Sequence, residues 1–181
     1  MVVTPWGLRV RLRRLQLLVL DVDGVLTDGA LSYSQSGEVW RRFDARDGLG
    51  IKLLQQQGLR LAVISGGRGV SIANRARDLG IAHCYTAVHD KQQVLMELQQ
   101  QLGFEPRVTA FVGDDLNDLV VRPLVGLLVA PADASKALRR QADLVLRRPG
   151  GHGAVRELAE RILRAQGHWH GLARHGWRQR N

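Results

Sequence analysis

A chain of 181 residues, 45% hydrophobic and 24% charged, has room for one domain with a real core and is too short for two comfortable ones. Its formal charge of +9 would suit a phosphate-rich partner, but much of the excess lies in the two ends, residues 9–14 and 156–180, and the chain lacks the aromatic and basic interleaving of single-strand binders, so a small anionic substrate is favoured over nucleic acid. The single Cys84 excludes an internal disulfide and has no His or Cys spaced around it for zinc, a reducing cytoplasm is the expected compartment, and no apolar stretch nears the roughly 20 residues of a membrane-spanning helix.

Residues 1–14 form a basic segment carrying Arg9, Arg11, Arg13 and Arg14. It superficially resembles a secretory signal, but the apolar run behind it is cut off by Asp21 and Asp23, and no small-residue cleavage site follows. That run, Leu18-Val19-Leu20, lacks polar alternation and reads as a strand buried on both faces. Asp21 and Asp23, two residues apart at its end, point to the same side, and Gly24 lets the backbone turn away. Two carboxylates so close are costly unless a cation or a difference in protonation relieves them. A plain turn would also use Asp and Gly, and the later carboxylates decide against that reading.

Residues 30–33 and 38–43 flank a turn at 34–37 as a hairpin. Its Tyr33, Val39 and Trp40 are more apolar than a free-standing ribbon carries, so it is expected to pack against something. Asp44 to Gly48 then open a helix with Leu49, Leu53 and Leu54 at helical spacing, ended by Gly58. A second buried strand at 61–64 runs into Ser65 and a glycine-rich turn able to cradle an anion. A helix follows at 71–79, then a short strand around Cys84 and Tyr85.

Asp90 caps a helix over 91–102 with Val94, Leu95 and Leu98 as its buried stripe. Lys91 stands at its start, where the helix dipole disfavours a cation. A third buried strand, 108–112, ends in Gly113, Asp114 and Asp115, with Asp118 one helical turn from Asp114. Strands at 127–130 and 144–146 flank a helix at 134–140, and the glycine-rich stretch 149–157 enters a last helix to about 165. Residues 167–181 show no apolar period and read as a mobile basic tail.

Alternating strands and helices imply an α/β fold with a doubly wound parallel sheet, and three strands end in Asp21/Asp23, Ser65 and Asp114/Asp118. A carboxylate cluster without His or Cys suits a hard cation, Mg²⁺ above all, and with it phosphoryl transfer through an attacking carboxylate.

DVDGVLTD, Ser65, Lys91 and GDDLND in this order resemble the four motifs of the haloacid dehalogenase superfamily of phosphatases. The hairpin, the DARDG run and the terminal GGHGAVRE more closely resemble its capless branch, the 3-deoxy-D-manno-octulosonate 8-phosphate phosphatases of lipopolysaccharide sugar synthesis, over residues 15–166. The resemblance implies a Rossmann-like haloacid dehalogenase fold with a small hairpin insertion and no cap domain. It implies Asp21 as nucleophile and Asp23 as general acid/base, with Asp21, Asp23 (through its carbonyl) and Asp114 at Mg²⁺. Ser65 and Lys91 would hold the phosphoryl group, with Asp115 and Asp118 behind them and Asp118 orienting Lys91 or the metal waters.

Substrate-contacting positions carried over are Asp23, Asp44, Ala45, Arg46, Asp47, Gly48, Lys52, Gly67, Arg68, Arg75 and Lys91, the cations suiting a sugar-acid carboxylate. The family's usual arginine is Gly67 here, with Arg68 one position late, and His152 stands where an arginine is usual; either change could shift preference toward a nine-carbon sugar acid. The family further implies a homotetramer with the hairpins at its centre and Gly150, Gly151, His152 and Gly153 reaching a neighbour's site as a lid. Competing readings are a phosphatase for acylneuraminate 9-phosphate or a nucleic-acid phosphate end, and a catalytically silent oligomerisation module.

Overall fold

The computed structural model describes residues 5–178; the portions of the two basic ends at residues 1–4 and 179–181 lie outside the described residues. Leu8 and Leu12, one turn apart, give the first helix, α1 (Pro5–Arg14), an apolar edge that packs on the last long helix. Its polar side is tied down as well, by Arg11 donating to Asp143 at 3.0 Å and to the Gly126 carbonyl at 3.1 Å. The basic start of the chain is thus part of the folded unit.

Strand β1 (Leu17–Leu20) is buried throughout, as its unbroken apolar run demands. The hairpin strands β2 (Ser32–Tyr33) and β3 (Val39–Trp40) follow, shorter than the sequence suggests because the ladder holds just two pairs of partners, Ser32 with Trp40 and Tyr33 with Val39. Then come α2 (Ala45–Gln56), β4 (Arg60–Ile64), α3 (Val70–Leu79), β5 (His83–Tyr85) and α4 (Lys91–Leu102). Val108, expected in a strand, belongs to a 3₁₀ turn (Pro106–Val108) ahead of β6 (Thr109–Val112), because Pro106 tightens the entry. The segment after the acidic motif is 3₁₀ helix (Leu116–Leu124), with Pro123 inside it. The chain continues through β7 (Leu127–Ala130), α5 (Lys136–Gln141), β8 (Leu144–Val145) and α6 (Ala154–Gln166).

The expected mobile tail instead carries α7 (Trp169–His175). Trp169, Leu172 and Trp177 pack against the core, and Trp169 lies under the guanidinium groups of Arg156 and Arg164, 5.7 and 4.7 Å from its ring centre. No regular apolar period announces this packing, since two aromatic anchors do the work of a stripe.

Six parallel strands lie in the order β5-β4-β1-β6-β7-β8. Within β1 the side chains alternate between two cores: Leu18 and Leu20 join the residues of α2, α3 and α6, while Leu17 and Val19 join those of α4. Helices therefore cover both faces, and the winding reverses between β1 and β6. In open α/β sheets the ligand crevice forms outside the carboxyl ends of the strands at that reversal. Between Asp28 and Asp47 the chain holds a hairpin and no cap domain.

Candidate active site

Parallel register fixes what meets at that reversal. Leu20 is level with both Val63 and Val112, so Ser65 and Asp114 emerge beside Val22, between Asp21 and Asp23. Gly24, at φ +83°, turns the chain so tightly under Asp114 that a Cβ would collide with that carboxylate. Carboxylate oxygens of Asp21, Asp114 and Asp118 all lie within 4.8 Å of one another.

Lys91 enters this cluster from the first turn of α4 and is 3% exposed. Its ammonium donates to Asp118 Oδ1 at 2.6 Å and stands 3.0 Å from Asp21 Oδ1, though not at a hydrogen-bonding angle. Burial works against its charge, but Asp21 and Asp118 outweigh burial and hold its pKa above the ordinary value. The position that the helix dipole disfavours is therefore compensated by two carboxylates. Asp118 spends its second oxygen on the Asp114 amide at 2.9 Å, which leaves it fully committed.

Asp21 and Asp114 carry the strain of the arrangement. Burial first, then the charge of Asp118, push the Asp21 carboxyl up to about 6 against the pull of Lys91. Burial and the charges of Asp21, Asp118 and Asp115 push Asp114 up to about 7. Asp115 itself faces solvent and accepts from the Leu116 amide at 2.8 Å, capping the 3₁₀ segment. It contributes charge rather than contact.

Ser65 is buried at the end of β4 and accepts from the Gly67 amide at 3.0 Å, which leaves its O–H free to donate. Gly67 borders Asp23, and Arg68 is exposed at the rim. Asp23 is held by a residue that sequence reasoning missed. Arg41, at the foot of the hairpin, grips Asp23 through Nε at 2.7 Å and Nη2 at 3.0 Å. The only sequence signal was a pair of arginines where the hairpin returns to the sheet.

Among the expected substrate contacts, Asp44 caps α2 by accepting from the Arg46 amide, and the Arg46 side chain, hydrogen-bonded to it, holds its carboxyl down at about 2. Ala45 and Arg46 are exposed beside it, and Gly48 is packed under Arg75, whose guanidinium donates to the Asp44 carbonyl and lies 5.6 Å from the Phe43 ring centre. Asp47 turns inward instead. It is 1% exposed and accepts from the Gly153 and Arg156 amides, so it caps α6 rather than facing a ligand. Lys52, two turns along α2, lines a separate cavity of about 1240 Å³ with Arg77, Trp177 and Arg178, away from the carboxylates.

The loop with Gly150, Gly151, His152 and Gly153 is anchored within its own chain. Gly151 donates to the Val25 carbonyl at 3.0 Å, and a Cβ on Gly150 would strike the Gly24 carbonyl. His152 points at Arg42, which also binds Asp28 at 2.7 Å. Arg42 can only donate, so His152 Nε2 accepts and Nδ1 donates to the Gly150 carbonyl.

The haloacid dehalogenase-like hydrolase family matches this chain over residues 44–120. The 3-deoxy-D-manno-octulosonate 8-phosphate phosphatase of Escherichia coli K12 is 42% identical over 153 residues, 84% of this chain and 81% of that protein. This chain belongs to that phosphatase family. The crystal structure of its Yersinia pestis member superposes with a TM-score of 0.88 at 41% identity, covering 90% of this chain and 88% of that one. The Moraxella catarrhalis member, solved in complex with a magnesium ion, a phosphate ion and a KDO molecule, gives a TM-score of 0.91 at 33% identity, covering 94% and 98%. A cobalt-bound Haemophilus influenzae member gives 0.85 at 39%, covering 88% and 93%.

The residues present here fit a divalent metal by their own chemistry. The cluster is all oxygen, Asp21 Oδ1 is buried without a hydrogen bond, and two carboxyls are held so far up that a cation in place of protons would relieve them.

Proposed function

We propose that this chain is a Mg²⁺-dependent phosphatase that hydrolyses a sugar-acid phosphate monoester, 3-deoxy-D-manno-octulosonate 8-phosphate, in lipopolysaccharide sugar synthesis. The observation that carries the reading is the buried Lys91 held between Asp21 and Asp118 beside Asp114, at the winding reversal of a sheet whose relatives act on that sugar. In this reading Asp21, Asp114 and the Asp23 carbonyl hold Mg²⁺, which when bound neutralises phosphoryl charge.

Asp21 attacks phosphorus in line; the P–O bond to the sugar breaks as an aspartyl-phosphate forms, and the leaving oxygen takes a proton from Asp23. Asp23 then accepts a proton from water as that water attacks phosphorus, releasing phosphate and restoring Asp21. Lys91 and the free Ser65 O–H meet the phosphoryl oxygens, where their charge and hydrogen bonding count most as the transition state develops. Pinning by Asp118 means that Lys91 pays its ordering cost before substrate arrives.

The hairpin supports a homotetramer. Tyr33 and Trp40 are 69% and 62% exposed, a poor surface for a lone chain, and self-association would bury them. In that assembly the edge bearing His152 and Arg42 is what the anchored loop presents to a neighbour's site as a lid. Phosphate release measured with eight-carbon and nine-carbon sugar-acid phosphates, with Mg²⁺ and after chelation, tests the reading. Preference for the eight-carbon acid with Mg²⁺ is expected; turnover confined to an oligonucleotide 3′-phosphate overturns it. Arg68, exposed at the rim one position late, favours the nine-carbon acylneuraminate 9-phosphate as the second reading, decided in the same assay.

A further inference from the structure

The side chain of Asp23 is 28% exposed, and among the described residues one side chain alone holds its carboxylate. Arg41 takes both oxygens, through Nε at 2.7 Å and Nη2 at 3.0 Å, and no backbone amide helps it. An acid/base group must stand within hydrogen-bond reach of the proton it moves, and a carboxylate free to turn about its own bonds stands there only part of the time. The place of Asp23 is therefore set by whatever sets Arg41.

Arg41 is itself fixed from other sides. Its side chain is only 2% exposed, although it follows the exposed Trp40 at the foot of the hairpin. Nη1 donates to the Arg68 carbonyl at 2.9 Å and to Ser71 Oγ at 3.2 Å, so four of its five N–H groups are used. Those two acceptors flank the end of the turn that leads from Ser65 into α3. Gly67, in the same turn, closes on the ion pair: a Cβ there would stand 2.7 Å from Asp23 Oδ2, 2.9 Å from Arg41 Nη2 and 3.1 Å from Ile72 Cδ1. Any side chain at position 67 would push the pair apart.

A fork shut in this way is a poor stability device, because desolvating both partners offsets most of the attraction. It is a good positioning device, because a planar guanidinium fixes both oxygens of a carboxylate at once. Each Asp23 oxygen accepts one N–H from the fork and keeps a lone pair, so it can hold or take a proton without leaving Arg41. No neighbouring cation shares the task. Arg68 is exposed at the rim and engages the fork only through its carbonyl, Arg42 belongs to Asp28, and Arg75 donates to the Asp44 carbonyl.

Resting on the reading of this crevice as a phosphatase site with Asp23 as its acid/base, we propose that Arg41 is a positioning residue for the leaving-group step. Through it the hairpin holds the Asp23 carboxyl where it gives its proton to the departing sugar oxygen as the P–O bond breaks, and where it then takes a proton from the attacking water. The hairpin is thereby part of the catalytic machinery without touching the phosphoryl group.

The test uses two leaving groups. A sugar alkoxide needs a proton to depart and p-nitrophenolate needs little help, and kcat/KM reports the steps up to that departure. In Arg41→Gln, kcat/KM for the sugar-acid phosphate should fall roughly 10- to 100-fold, and that for p-nitrophenyl phosphate should stay within about threefold of wild type. Arg41→Lys should lie between, since it keeps the charge without the fork, and it carries the same comparison should Arg41→Gln fail to fold. Once Asp23→Asn has removed the acid, adding Arg41→Gln should lower the sugar-acid rate by no more than about a further threefold. A fall of both substrates by one common factor in Arg41→Gln overturns the proposal in favour of a purely structural ion pair. A further tenfold loss in the Asp23→Asn background overturns it too, because Arg41 would then act without Asp23. Wild-type kcat/KM for the sugar-acid phosphate in Asp23→Asn alone is a different failure: it removes Asp23 from the leaving-group step, and the mechanistic reading falls before this assignment does.

Discussion

Lys91 Nζ lies 2.6 Å from Asp118 Oδ1, with neither side chain more than 3% exposed. Asp118→Ala leaves Lys91 paired with Asp21 at 3.0 Å but strands the Asp114 amide, so it should cost only about 1–3 kcal/mol in denaturant unfolding. Asp118→Asn keeps an oxygen for the Asp114 amide but loses the charge that holds Lys91, and should lower kcat about 10- to 100-fold with a smaller change in KM. Unchanged kcat in both variants would return Lys91 to a purely structural role.

Removing the charge of Asp21 should have opposite effects on activity and stability. Asp21→Asn eliminates the attacking group, so phosphate release should fall about 10⁴-fold or more. The same change relieves the repulsion that Asp21 shares with Asp114 and Asp118, so the metal-free variant should melt above the metal-free wild type. Retained turnover would sink the covalent mechanism.

Much of this was legible in the sequence because apolar runs without alternation mark strands buried on both faces, and a carboxylate ending such a run must lie at a strand's carboxyl end. Asp21, Asp23, Ser65 and Asp114 are all found at strand ends that way, whereas Lys91, which opens a helix, takes its role from the family resemblance. Arg41 was not, because its contact to Asp23 spans 18 positions and depends on how the hairpin folds back. Asp47 was misjudged because its neighbours Asp44 and Arg46 do sit at the surface, and only the packing of α6 shows that Asp47 turns inward. The helix α7 escaped notice because cation–π contacts on one tryptophan leave no period to read.

That misjudged residue makes a prediction of its own. Asp47→Ala strands the Gly153 and Arg156 amides inside the fold, at about 1–3 kcal/mol each, so the melting temperature should drop clearly. Because Asp47 faces α6, KM for the sugar-acid phosphate should stay within about threefold of wild type. A KM raised tenfold in protein shown to be folded would put Asp47 back among the substrate contacts.

Stability and metal binding should depend on pH in a linked way. The Asp21 and Asp114 carboxyls, at about 6 and about 7 in the folded chain, lie above the 3.8 of an ordinary aspartate. Between those limits the folded state binds more protons than the unfolded one, so these two groups make the metal-free protein less stable as pH rises from about 4 through about 7. Their contribution is fully favourable below pH 3.8 and lost above the folded values. A divalent cation competes with those protons. The rise in melting temperature produced by a fixed Mg²⁺ concentration should therefore be small at pH 5 and large at pH 8. An increment independent of pH would show that Mg²⁺ binds elsewhere.

The hairpin links assembly to chemistry. Tyr33 and Trp40 are exposed on the single chain, and the next residue after Trp40 is the arginine that grips Asp23. Burial of those aromatic faces in a tetramer would fix the hairpin, and through it Arg41, at the mouth of the site. The protein should therefore sediment at four times 20.1 kDa at micromolar concentration. Trp40→Glu, which puts a charge into the apolar contact, should dissociate it, because a buried unpaired carboxylate costs more than the contact returns. Turnover of the sugar-acid phosphate should fall along with the tetramer fraction as that variant is diluted, while far-ultraviolet circular dichroism stays constant. A wild-type monomer with full activity would refute the assembly, and a monomeric Trp40→Glu with wild-type turnover would show that the hairpin places Arg41 without help from a neighbour.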